Sequence, residues 1–201
     1  MIVVDSSGEY FPKDTVYNDF VEYVDIAPTI LAASGLDVEN DEKLSHLDGF
    51  DLASVVRNPT LKRDYVIGEL NQIIGDRAYL RTKRFGFSMK VRPKLGKPGE
   101  THAPGEDIHW ALNAKAEDVE MALYDLACDP HERQNVAYHK DYADIVAVLR
   151  TKTQNIFLGD KRLEIDWQKE NVSFESHFAS GAHDYRLPKA LTEEASCTAG
   201  L

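Results

Sequence analysis

From Asp64 to Gly159 the chain passes from a repeat of two residues to one near 3.6. Asp64 to Leu70, Arg77 to Thr82, Phe85 to Arg92 and Met121 to Leu126 read as β-strands, since apolar and polar positions alternate along them. In the last of these, Ala122, Tyr124 and Leu126 share one face of a half-buried strand. Asp129-Pro130 stops it, because proline cannot donate to a ladder and pushes its predecessor out of the helical region. After the polar turn His131 to Asn135 the period lengthens. Tyr142, Ile145, Val146, Leu149, Ile156 and Phe157 then form one stripe, interrupted by Lys152 and Thr153, and predict a helix from Tyr142 to Leu158. Gly159 stands where a left-handed cap is expected. Such a helix is about 27 Å long, enough to cover one face of a small sheet.

Upstream, Met1 to Val4 is a short apolar run that predicts a strand, closed by Ser6-Ser7-Gly8 and Pro12. Asp5, at its end, reads as a turn carboxylate; no His, Asp or Asn follows within three residues to make it a metal ligand. Pro28 suits the first turn of a helix that Ile30, Leu31 and the alanines continue and Gly35 ends. Asp25 just before it reads as a cap for the first-turn amides, not a catalyst. Lys94 to Asp107, rich in Pro and Gly, reads as a long loop, a common place for function. Beyond it, Trp110 is expected to anchor a surface helix covering Asp107 to Val119. Leu163 to Trp167 reads as one short strand or clip, Phe174 to Pro188 as a wrapping segment, and Thr192 to Leu201 as a frayed tail.

Composition narrows the function. The 201 residues are 43% hydrophobic and 28% charged, with a formal net charge of −11; that charge argues against nucleic acid or an anionic membrane as partner. No run reaches the ~18 apolar residues of a transmembrane helix. Only Ile2-Val3-Val4 separates Met1 from Asp5, so no signal peptide is read, and the compartment stays open. Cys128 and Cys197 make neither a disulfide framework nor a CxxC zinc pattern, and none of the seven histidines pair at helical metal-site spacing. The charge is also uneven. Asp76 to Gly99 holds eight of the 23 basic residues (Arg77, Arg81, Lys83, Arg84, Lys90, Arg92, Lys94 and Lys97) but one of the 34 acidic ones. An acidic chain with one concentrated basic segment is a candidate anion binder.

Four segments carry a family resemblance. Val24-Asp25-Ile26-Ala27-Pro28-Thr29 with Leu31 and Gly35 resembles the "VDIAPT…L…G" segment of the sulfatases, in the alkaline phosphatase superfamily. Leu47-Asp48-Gly49-Phe50-Asp51-Leu52 is similar to that family's "DG.SL" segment, and Arg77-Ala78-Tyr79-Leu80-Arg81-Thr82 to its "RAVRT" strand. Leu123-Tyr124-Asp125-Leu126 with Asp129-Pro130, Glu132 and Asn135 resembles its "LYDL..DP.E..N" signature. The four come in the family's order over about residues 19 to 158.

The resemblance implies the C-terminal region of an α/β sulfatase-like fold (its α+β part), with a small antiparallel sheet of about four strands packed on a long helix. Residues 1–60 would end the main α/β domain, 61–159 would form the sheet-plus-helix subdomain, and 160–201 an extended segment. It also implies what a complete enzyme carries: a formylglycine made in a C/S-x-P-x-R motif and a divalent cation, calcium, that neutralises sulfate oxygens. Cys128-Asp129-Pro130-His131-Glu132-Arg133 does not supply that motif, since arginine comes one residue late. No catalytic or metal-binding residue is therefore assigned in this chain. The expected partners are a missing N-terminal catalytic portion and a sulfated small molecule or glycan.

Substrate contacts are expected on the basic hairpin and the loop after it. Arg77, Tyr79, Arg81 and Lys83 point one way from the first strand, and Lys90 and Arg92 stand opposite the apolar face of the second. Arginine suits bidentate oxyanion contacts, so Arg77, Arg81, Lys90 and Arg92, with His102 and His109, are the candidate substrate-binding residues. The competing expectation is a solvated hairpin face balanced by carboxylates. A sulfatase-like hydrolase is the reading; the alternatives are a non-catalytic anion- or glycan-binding module, or a phosphatase or phosphonate hydrolase of the same superfamily. Ile2 to Val4 and Val21 to Leu36 are expected to expose apolar surface, because the sheet they should cover is not in this chain.

Overall fold

The computed structural model describes residues 1–44, 47–70, 77–93, 110, 113–157, 185–192 and 197. It divides into two compact units, Met1–Val66 with His183–Arg186, and Ile67–Ala182 with Leu187–Leu201. Expectations for Lys94 to Asp107, His102, His109, Gly159 and Leu163 to Trp167 lie outside the described residues.

The first unit is held by polar side chains that bind backbone. Helix α1 is Ile26–Ala33 and helix α2 is Leu52–Arg57. Gly35, at φ +93, ends α1 in the left-handed conformation that glycine adopts without a Cβ penalty. Asp25 is not the cap expected, because its side chain turns away from the first amides of α1. It accepts instead from Glu22 N (2.8 Å) and from Phe50 N (2.8 Å), twenty-five residues on. Thr29 Oγ1 donates to Asp25 O (2.6 Å) and accepts from Leu52 N (2.9 Å). Gly49 lies where a Cβ would strike the Val24 carbonyl, so only glycine permits this approach. Asp51 caps α2, accepting from the amides of Ala53 and Ser54 at 3.0 Å.

A second expectation for the first unit changes, and one holds. Met1 to Val4 is not a strand, having no partner strand there, and Ile2 is 91% exposed. Asp5 is a turn carboxylate as expected, and a heavily used one: it accepts from the Ser7 hydroxyl and from the amides of Ser7, Tyr10 and Phe11. The Ser7 hydroxyl and those amides hold its carboxyl well below the usual carboxylate range.

The second unit is a sheet under a helix. Strands β1 (Tyr65–Leu70, beginning in the first unit), β2 (Arg77–Thr82), β3 (Phe85–Lys90) and β4 (Ala122–Asp125) follow in that order across a four-stranded antiparallel sheet. Tyr79 faces Ser88 and Leu80 faces Phe87 across β2 and β3; Gly86 faces Tyr124 across β3 and β4. Helix α3, Ala143–Phe157, lies against β2 and β3. Ala78, Leu80, Phe85, Phe87, Met89, Leu123, Val146 and Leu149 are buried as the apolar core. The fold class is thus the expected one, a small antiparallel sheet packed on a long helix.

Details of that unit depart from expectation. On β4 the buried face is Leu123 and Asp125, while Ala122 and Tyr124 face outward. Burial of Asp125 is tolerated because Arg84 donates to both its oxygens (3.3 and 3.0 Å) and Tyr142 Oη adds a third bond (3.2 Å). Burial and the neighbouring Asp125 push the Tyr142 phenol up. Thr153 does not interrupt the helical stripe but belongs to it, with Tyr142, Val146 and Leu149, its hydroxyl donating to Leu149 O at 2.8 Å. Ala114 to Val119 is not helical. Cys128 and Cys197, expected to form no framework, are joined in a disulfide across 69 residues of sequence. A short helix, α4 (Lys189–Thr192), buries Leu191.

Candidate functional site

The outer face of the sheet is the candidate site, because strand alternation puts there every hairpin residue that the core does not use. Arg77, Tyr79 and Arg81 project from β2; Gly86, Ser88 and Lys90 from β3; Tyr124 from β4. Together Arg77, Tyr79, Leu80, Arg81, Gly86, Phe87, Ser88, Tyr124 and Glu132 line an open groove of about 290 Å³. Gly86 leaves its floor empty between Arg81 on one side and Tyr124 on the other. Tyr79 is seated over Gly68 of β1, where any Cβ would strike the phenol ring.

The cations on this face are matched by carboxylates. Arg77 and Lys90 are cross-strand partners, a like-charge pair that would destabilise the sheet unaided. Glu120 offsets it, ion-paired to Lys90 and 4.0 Å from Arg77 Nη1, while Arg77 Nη2 donates to the Glu120 carbonyl (2.6 Å) and to Ser88 Oγ (3.1 Å). At the other end Arg81 Nη1 donates to Glu132 Oε1 at 2.7 Å. Glu120 and Glu132 both adopt positive φ, +44 and +54, a conformation that costs a non-glycine residue of the order of 1 kcal/mol. The backbone is held in an unfavourable shape at the two places that present a carboxylate to this face.

The polar residues of the sulfatase-like signature have structural duties here. Asp125 clamps Arg84 and Tyr142. Asp129 Oδ2 accepts from Gln134 N (2.7 Å), closing the turn, and Asn135 Oδ1 accepts from Leu123 N and Ala137 N, both at 3.0 Å. In the first unit Asp25, 1% exposed, pairs both its oxygens with Arg63, 3% exposed. The Arg63 guanidinium lies 4.0 Å from the Tyr185 ring and 5.1 Å from Phe50, and its Nη1 is 3.0 Å from Glu22 Oε2. Burial opposes the charge on Arg63, and the Asp25 carboxylate outweighs it, so the guanidinium is pushed up.

These commitments bear on the metal and the formylglycine implied by the resemblance. The buried carboxylates Asp25, Asp51 and Asp125 are each engaged, and no group of three or more His, Cys, Asp or Glu converges among the described residues. Cys128 is bonded to Cys197. The described residues do not fit either group.

Of the sequence-predicted substrate residues, Arg77, Arg81 and Lys90 meet on one face. Arg92 lies past the end of β3, and His102 and His109 are outside the described residues. Residue-by-residue reading missed Glu120, Gly86, Tyr124 and Arg63 as members of the two polar clusters. Glu120, the last acidic residue before β4, was one signal; Gly86, alone among bulky neighbours on a strand, was another.

No family model matches the chain, and no curated protein matches it. Among solved structures it is similar to BT4656 in complex with its substrate D-glucosamine-2-N,6-O-disulfate, at 20% identity and a TM-score of 0.43, over 68% of this chain and 25% of that one. It is also similar to a structure described under metabolism of multiple glycosaminoglycans by Bacteroides thetaiotaomicron (BT33494S-sulf), at 14% identity and a TM-score of 0.39, over 68% of this chain and 27% of that one. The chain spans about a quarter of the length of the solved structures it matches.

Proposed function

We propose that this chain is the C-terminal portion of a sulfatase-like hydrolase acting on sulfate esters, with sulfated glycans as the substrate class. The observation that carries this reading is the interlock of two segments that resemble sulfatases. Asp25 and Thr29 of one bind the backbone of Phe50 and Leu52 in the other, and Gly49 makes room for Val24. Chance matches scattered along a chain have no reason to be bonded to each other. The nucleophile and the calcium ion then belong to an upstream portion, and the apolar side chains exposed between Met1 and Leu36 are the surface that portion would cover. The Cys128–Cys197 disulfide supports maturation in an oxidising compartment.

A non-catalytic glycan-binding module is the second reading, favoured by the groove on the outer face of the sheet. A generic aryl sulfate, assayed with the chain and with a form extended upstream, separates the two. Turnover by the extended form alone is the expected result. Turnover by the short chain would place a nucleophile within these residues and refute the reading; no turnover by either leaves the binding module in its place. A phosphatase or phosphonate hydrolase would instead cleave aryl phosphate or phosphonate in the extended form.

A further inference from the structure

We propose that the groove on the outer face of the sheet is a carbohydrate subsite that grips one pyranose ring by its hydroxyls and apolar face, not by a sulfate. This goes beyond the hydrolase reading and stands whether or not an upstream portion is catalytic. Three features of the groove converge on it. The first is charge: Arg77, Lys90 and Arg81 face Glu120 and Glu132, leaving a net charge near +1. An incoming sulfate would have to displace Glu132 from Arg81 or lie beside its carboxylate, and like charges in contact repel. A hydroxyl meets no such conflict, because it accepts from the guanidinium and donates to the carboxylate at once.

The second feature is shape. Tyr79, 37% exposed, and the half-buried Tyr124 both line the groove whose floor Gly86 leaves open, Tyr124 directly beside Gly86 and Tyr79 across from Ser88. Phenol rings present flat apolar area with a polar tip, which suits the C–H face of a sugar ring. The volume, about 290 Å³, is at the small end of ligand pockets and scaled to one ring, not a chain. The third is rigidity. Gly68 leaves the room that the Tyr79 ring occupies beside β1, and Glu132, at positive φ, holds its carboxylate where a Cβ on Gly86 would come 3.4 Å from Oε1. A bare solvated face needs none of these arrangements.

The experiment titrates the 201-residue chain, labelled at tyrosine, with glucose, galactose and their N-acetylhexosamines, each with and without a 6-O-sulfate, and with sodium sulfate. Binding is read by shifts of the Tyr79 and Tyr124 resonances, so it is measured apart from hydrolysis. At least one unsulfated sugar is expected to bind with a Kd of the order of millimolar. Its 6-O-sulfate should change that by less than about threefold, and raising salt well past the range where exposed charges are screened should change it as little. Tyr79→Ala should weaken binding by about tenfold or more, while Tyr79→Phe keeps it. Gly86→Leu, on the solvent side of β3 at ordinary backbone angles, should abolish binding and leave the circular dichroism unchanged. Binding of sulfate ion that competes with sugar, binding seen only for sulfated sugars, binding that survives Gly86→Leu, or no shift with any sugar would each overturn the proposal.

Discussion

The two units of this chain solve the same folding problem with opposite materials. Of the twenty buried hydrophobic residues among the described residues, Leu52, Ala53, Val55, Tyr65 and Tyr185 belong to the first unit. That unit also holds ten of the thirteen large apolar side chains found exposed among the described residues, Tyr23 at 90% being one. Its cohesion comes from Asp25, Thr29 and Arg63, which tie segments far apart in sequence to one another. Among the described residues the second unit buries fifteen apolar residues, eight of them on β2, β3, β4 and α3, and it carries a clamp of the same kind, Arg84 on the buried Asp125. A region short of apolar burial can still be shaped, provided its buried charges are paired, but it keeps apolar surface for another contact.

Four variants and a titration would break or sharpen this contrast, beginning with the largest effect. Phe87→Ala removes a fully buried ring under α3 and should cost about 4 kcal/mol. Hydrogen exchange should report it at the β2 and β3 amides; equal acceleration at Phe50 N and Leu52 N would erase the distinction between the units. Asp25→Ala leaves Arg63 buried against Glu22 alone and should cost about 3 kcal/mol, read by urea unfolding. Replacing the pair together, Asp25→Leu with Arg63→Met, should cost about 1 to 2 kcal/mol, less than Asp25→Ala, because no buried charge is left unpaired while the amides of Glu22 and Phe50 still lose their acceptor; a loss as large as that of Asp25→Ala would show that the backbone bonds of Asp25, not its charge, matter. Ile30→Lys, on the exposed side of α1, should change stability by less than about 0.5 kcal/mol while reducing self-association in sedimentation.

The smallest effect concerns acid. The Asp5 carboxyl is held below its ordinary 3.8 by the Ser7 hydroxyl and the amides around it. Its contribution is therefore complete above that value and lost as pH falls from there through the depressed folded value. The Tyr10 and Phe11 amides should lose exchange protection across that window. Asp5→Asn should remove the pH dependence; persistence of it in that variant would assign the effect to another group.

The pattern of apolar positions by itself determined the four strands, the helix over them and which hairpin side chains face out, because a strand's period of two and a helix's of 3.6 are properties of the backbone. It also placed Arg77, Arg81 and Lys90 on one face. It misread Thr153 as a break in the helical stripe and left open which face of β4 the core takes. A hydroxyl bonded to its own helix and a carboxylate clamped by Arg84 both count as polar on a scale that knows only single residues.

What the tertiary structure alone decided was pairing. Glu120 beside Lys90, Glu132 on Arg81, Arg63 on Asp25 and Cys197 on Cys128 join residues 30 to 69 positions apart, and no local period encodes such meetings. The same charges that read as an anion-binding strip along the chain become a balanced, tyrosine-walled groove once folded. The physical reason is that charge is a property of a residue, whereas potential is a property of its neighbours in space.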